Sequence, residues 1–263
     1  MRPAEKRSIF CSIGKGCVSV GSFWSNFTNS PGGYRKRGPG RWFQILEERF
    51  MALFWANLLC IGCALPFLAG LFFFSQTGDY LALLCMFAGL ILLGPGFAAM
   101  HFICIQTIRD KNVWVWQDFL ASFKREFKQS VVFTLLMGLL WGSLVYALRL
   151  VIAVNGALGP VYALVFLLNA FVLMGLTVFG FQQIAMVRLP FYGVIKNAFL
   201  LIFAGKGRSF CAIAFAMAVV GVCLWFYQYC VFYLLLGVPA LTIMTANLIF
   251  YPVFEDFFPE DDG

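Results

Sequence analysis

What this 263-residue chain has least of is charge: Asp, Glu, Lys and Arg make up 12% of it, and it holds one histidine. A soluble domain carries about 25% charged residues, so an all-round water-facing surface is excluded. Twelve acidic residues are present, and the apolar stretches contain none beyond Asp79 at the edge of one. Proton- or sodium-coupled carriers place carboxylates or histidines at mid-membrane, so ion coupling is not expected. Intramembrane hydrolysis needs a nucleophile, a base and an orienting group. A Ser143 and His101 dyad is conceivable, but Trp141-Gly142-Ser143-Leu144 lacks the Gly-x-Ser-Gly pattern of rhomboid proteases and nothing supplies an orienting group. No catalytic residue is expected, and the chain is not read as an enzyme.

Metal and redox chemistry lack their ligands in the same way. Cys60-Ile61-Gly62-Cys63 has a Cys-x-x-Cys spacing but no second pair or histidine close to it in sequence. Cysteines in an apolar helix act as small apolar residues, and Cys11 and Cys17 fall in a segment read as cytoplasmic, where thiols stay reduced. No metal or cofactor is expected. The first forty residues also lack the apolar core of a secretory signal, being basic and rich in Ser and Gly.

What is abundant is apolar and aromatic: 62% and 18%, with 32 Phe. Apolar runs of about twenty residues or more predict transmembrane helices. Six are expected, at 51–74, 80–108, 130–154, 161–187, 209–231 and 233–254. Eighteen of the nineteen Lys and Arg fall in three segments: nine in 1–49, five in 109–129, four in 188–208. Basic connections stay inside, so both termini and both long connections are expected to be cytoplasmic. The fold class that follows is all-α, a polytopic bundle of six spans arranged as three hairpins. Its segments are a flexible basic stretch at 1–40, the membrane domain at 41–254 and an acidic cytoplasmic tail at 255–263. Arg35-Lys36-Arg37 reads as a topology-setting flank, with anionic head groups as its alternative contact, and the Asn26 sequon would be idle inside.

A weak repeat runs through the three hairpins. Ahead of the third span, residues 113–128 place Trp116, Phe119, Leu120, Phe123 and Phe127 on one helical face, with Asn112 as candidate cap, which predicts an interfacial amphipathic helix. Similar lead-ins precede the first span (Trp42, Phe43, Leu46, Phe50) and the fifth (Phe191, Tyr192, Ile195, Phe199). Candidate helix breaks are Pro66, Gly94-Pro95-Gly96, Gly159-Pro160 and Gly237 with Pro239, because Gly ends helices and Pro suits a first turn. At 29 residues the second span must tilt or break. Gly138 and Gly142 form a small-residue step suited to packing inside the bundle.

Two polar groups fall inside spans. Arg149 has two readings, snorkelling outward or pairing with Asp79 against contacting an outer anion or sugar. His101 reads either as a neutral ring bonded to a neighbouring helix or as a proton relay.

The run Gly94-Pro95-Gly96-Phe97-Ala98-Ala99-Met100 through Arg109-Asp110-Lys111-Asn112-Val113-Trp114-Val115-Trp116-Gln117-Asp118-Phe119, then Phe123, Phe127 and Lys128, resembles the YesL family of bacterial membrane proteins, a group of unknown function. Leu65-Pro66 looks like that family's end of a first hydrophobic stretch. The resemblance is strongest between 94 and 129 and departs at His101 and in the length between Pro66 and Gly94. It implies a plasma-membrane protein whose genes neighbour sugar ABC importers and two-component sensors, hence an accessory or regulatory role in carbohydrate uptake. A passive small-solute transporter or channel is the alternative. Lipids, importer permease subunits or a membrane sensor kinase are the expected partners, and nucleic acid is not. The contact residues expected are Arg109, Asp110, Trp116, Phe119, Phe123 and Phe127, with local capping as the competing role for Arg109 and Asp110.

Overall fold

A single helix covers residues 39–77, where a lead-in helix and a span were expected. The computed structural model describes residues 39–155, 159–187, 189–226, 229–235 and 237–257. The basic stretch through residue 38, with Cys11, Cys17, the Asn26 sequon and Arg35-Lys36-Arg37, lies outside the described residues, as do Arg188 and the tail beyond 257. Helix α1 runs Pro39–Thr77 without interruption, so the first lead-in is not a separate interfacial element. No Gly or Pro stands between Arg41 and Ile61 to stop it. At about 1.5 Å per residue it is roughly 58 Å long, well beyond a hydrocarbon core of about 30 Å, so its early turns extend outside the apolar layer.

The remaining helices are α2 Tyr80–Ile108, α3 Val115–Arg125, α4 Phe127–Asn155, α5 Pro160–Met186, α6 Phe191–Ala204, α7 Lys206–Trp225, α8 Cys230–Leu235 and α9 Val238–Phe257. The described residues contain no strand. Among the described residues five helices are long and apolar enough to cross a membrane: Gly40–Phe74, Tyr80–Ile108, Phe127–Val154, Pro160–Met186 and Gly207–Trp225. The sixth expected stretch is divided. Gly237 adopts φ 84°, a conformation open to Gly at no steric cost, and it separates α8 from α9, whose apolar portion Val238–Tyr251 is a shorter helix.

Two of the expected breaks are absent. Pro66 lies inside α1 and Pro95 inside α2, both unbroken. Around Pro95, tertiary packing outweighs the lost backbone bond: Gly94 lies against Ser130 and Thr134 of α4, and Gly96 against Cys63 of α1. Gly159-Pro160 and Gly237-Pro239 stand at helix starts, with Gly159 as the N-cap of α5.

Helix α2 is the hub, touching α1, α3, α4 and α5. Its contact with α1 is the closest: a Cβ on Gly70 or Gly89 would collide with the backbone of Met86 or Phe67 respectively. One core cluster joins α1, α2, Phe119 of α3 and the α9 residues Ala240, Met244 and Tyr251. A second joins Ala98, Phe133, Met137, Phe181, Ile184 and Val194 of α2, α4, α5 and α6. The Gly138–Gly142 step is half used, since Gly138 faces Leu90 while nothing lies within 4 Å of a Cβ on Gly142.

Burial is concentrated at one end. Residues 94–109 of α2 are buried except for the partly covered Phe97 and Phe102, and so is the whole run 179–186 of α5. At the opposite ends Leu81, Leu84, Val161, Leu164 and Leu168 are exposed, a surface suited to lipid rather than water. There α4 and α5 leave a cleft of about 510 Å³, lined by Leu144, Ala147, Val165 and Phe166 among others. The closed end is the one joined to the basic connections 109–129 and 188–208.

Candidate functional site

The polar groups of the closed end are assembled around the C-terminus of α2. Its last carbonyls have no partner within the helix, and the chain supplies them in two ways. The N–H of Asp110 donates to the Thr107 carbonyl at 3.2 Å and that of Lys111 to the Gln106 carbonyl at 3.1 Å, the paired bonds of a Schellman stop. Asp110 holds the left-handed position, φ 61°, usually filled by Gly, and Asp is among the few other residues that tolerate it. Arg41 of α1 supplies the second: its Nη2 donates to the Ile108 carbonyl at 3.0 Å and pairs with Asp110 Oδ1 at 2.6 Å. A guanidinium there also complements the negative end of the helix dipole.

Arg109 is buried, with its Cζ 5.9 Å from the centre of the Tyr251 ring of α9, within cation–π range. Trp42 Nε1 donates to Thr245 Oγ1 at 2.9 Å, adding a second link from α1 to α9. Arg125, which sequence reasoning passed over, closes the other side: it pairs with the buried Glu126, lies 4.9 Å from the Phe102 ring centre and reaches the Ala185 carbonyl. Its type signalled only a basic flank, and the contacts are visible only once α2, α3 and α5 are assembled.

Helix α3 begins later and ends earlier than its periodicity suggested. Asn112 is exposed and not its cap; Trp114 takes that position, and Asp118 Oδ2 accepts its backbone N–H at 2.9 Å. Glu126 breaks the run, and Phe127 is the first residue of α4. The aromatic face is turned inward: Phe119 is 2% exposed in the first core cluster, stacks on Phe123, and Phe123 meets Phe127. Of the expected contact residues only Trp116 is widely exposed, at 64%, and beside it Trp114 is 73% exposed. Asp110 is engaged by Arg41 of α1, Phe119 by the first core cluster and Arg109 by Tyr251 of α9.

Deeper in the bundle, His101 is buried with its ring stacked on Phe181 and its Nδ1 3.5 Å from Asn247 Nδ2. Arg149 is exposed on α4, and among the described residues no ion pair joins it to Asp79. Cys60, Cys63 and Cys104 are free thiols, Cys60 and Cys104 within the first core cluster. Among the described residues no three His, Cys, Asp or Glu side chains are grouped to hold a metal.

The stretch that builds this end also carries the sequence likeness. Residues 50–148 match the family described as protein of unknown function, DUF624. The match runs from within α1 through the Arg109-Asp110 stop and α3 into α4, less than half of the chain. No curated protein and no solved structure matches.

Proposed function

We propose that this is a YesL-type protein of the bacterial plasma membrane, working through contacts as a non-enzymatic accessory or regulatory component of an ABC-type carbohydrate importer. The DUF624 match at 50–148 is compatible with that resemblance. In this reading six spans form three hairpins, α8 and α9 together making the last arm, and the termini and basic connections face the cytoplasm. The observation that carries the contact role is the pair of exposed tryptophans, Trp114 and Trp116, at the start of a helix seated on the core through Phe119 and Phe123. Trp is the residue type most enriched where interfaces are anchored, and it also suits the head-group layer. Membrane lipid is therefore the first partner, and an importer permease or membrane sensor kinase the second.

Affinity purification from native membranes with crosslinking from position 116 tests it. Recovery of permease subunits or a kinase supports the role; recovery of the protein alone, with solute flux in liposomes, contradicts it. That second outcome belongs to a passive small-solute transporter or channel, a reading favoured by one observation: α2, α5 and α9 bury uncharged amides and a histidine, Gln182, Gln183, Asn247 and His101.

A further inference from the structure

Four polar side chains from three helices are buried within the bundle. His101 of α2 and Asn247 of α9 are 2% and 1% exposed, and Gln182 and Gln183 of α5 are 2% and 1%. Aromatic contacts lie beside them in the chain or in space. Phe181 stacks on His101 with ring centres 6.1 Å apart, and Phe179 lies 4.4 Å from Phe250. Gln182 follows Phe181 directly, Gln183 lies one turn beyond Phe179 on α5, and Asn247 lies one turn before Phe250 on α9.

Their hydrogen-bonding capacity is not met from within the protein. Gln182 Oε1, Gln183 Oε1 and Asn247 Oδ1 are acceptors without a donor, and Gln183 Nε2 is a donor without an acceptor. Each such atom, withdrawn from water, costs about 1–3 kcal/mol if left bare, and lipid around the bundle offers nothing in exchange. The inventory also selects the chemistry of what fills it. A cation would answer the three acceptors but not the amide donor, and an anion only the donor. A hydroxyl group does both. Three orphan acceptors need three O–H donors, which at least two water molecules, or one molecule with several hydroxyls, would supply.

We infer that His101, Gln182, Gln183 and Asn247 share one polar layer, and that this layer is a binding site for small uncharged hydroxylic molecules: internal water, or the hydroxyls of a polyol. It stands on these residues alone and is independent of the importer reading. Such a site gives the closed end of an otherwise apolar bundle a selective, charge-excluding polar layer.

Magnetisation transfer from water protons to side-chain amides tests it, on the full-length protein labelled with 15N-Gln, 15N-Asn and 15N-Phe in lipid bilayers. The expected result is transfer to the Gln183 and Asn247 amides at least several-fold faster than to the backbone amide of the fully buried Phe133. Transfer as slow as at Phe133, with no response to added glycerol, overturns the site. If glycerol shifts these amide signals and displaces the water transfer, the ligand is a polyol; if it leaves a fast transfer unchanged, the ligand is water. Gln183→Leu should reduce transfer at Asn247 while Gln183→Asn retains it, with backbone spectra reporting the fold of both. Transfer at Asn247 unaffected by Gln183→Leu contradicts a shared site.

Discussion

Arg41 closes over Asp110 at 2.6 Å while also holding the carbonyl of Ile108, so the start of α1 is fastened to the end of α2 at the basic end of the bundle. The fastening joins three things usually found apart: a left-handed helix stop, an ion pair and a helix-terminus cation.

Removing it should destabilise without unfolding. Arg41→Ala removes the ion pair of Asp110 and one bond to the Ile108 carbonyl, and a loss of about 2–4 kcal/mol is expected, toward the lower part of the range for breaking a buried pair because Asp110 is partly solvated. Asp110→Asn should cost less than Asp110→Ala, since Asn tolerates the left-handed conformation and Ala does not. Thermal unfolding in nanodiscs orders the three. Equal losses for Asn and Ala would place the whole effect in the charge.

The close approach of α1 and α2 predicts a contrast between glycines. Gly89→Leu collides with the backbone of Phe67, which cannot rotate away, and overpacking of about 1–3 kcal/mol or more is expected. Gly142→Leu meets open space and should be silent. The monodisperse fraction on size exclusion reads both, and equal behaviour would mean that the hairpin is looser than described.

The aromatic residues around α3 should separate by burial rather than by type. Phe119→Ala removes a side chain from the first core cluster and should cost about 3–5 kcal/mol. Trp114→Ala and Trp116→Ala should stay within about 0.5 kcal/mol of the parent and instead reduce crosslinking to partners or lipid. Denaturation midpoints and crosslink yield, measured on the same samples, show whether the two effects separate.

How far the sequence carries depends on which force decides each element. Phe191, Tyr192, Ile195 and Phe199 announce α6 correctly because periodicity, the preceding Pro190 and the following Gly205 agree. Pro95 misleads, because its penalty is local whereas the packing of Gly94 and Gly96 on α4 and α1 is tertiary. Trp42 and Phe50 suggest a separate lead-in, yet nothing between them and the first span breaks a helix. Phe119 and Trp116 share a helical face in projection, but only the position of α3 on α1 and α2 decides that one is core and the other surface. In the same way Arg109-Asp110 carries no local mark of how the helix ends, and the left-handed φ at Asp110 shows the stop. The pairing of His101 with Asn247, far apart in the chain, has no local signature at all.

The central claim is that the closed, polar end of the bundle faces the cytoplasm and its open, apolar-walled end faces outward. Reporter fusions at Gly78, Gly156 and Gly205 measure this directly. The account predicts that reporters active only outside the membrane light up at Gly78 and Gly156 and stay dark at Gly205. An outside signal at Gly205, or an inside one at Gly78, would contradict it.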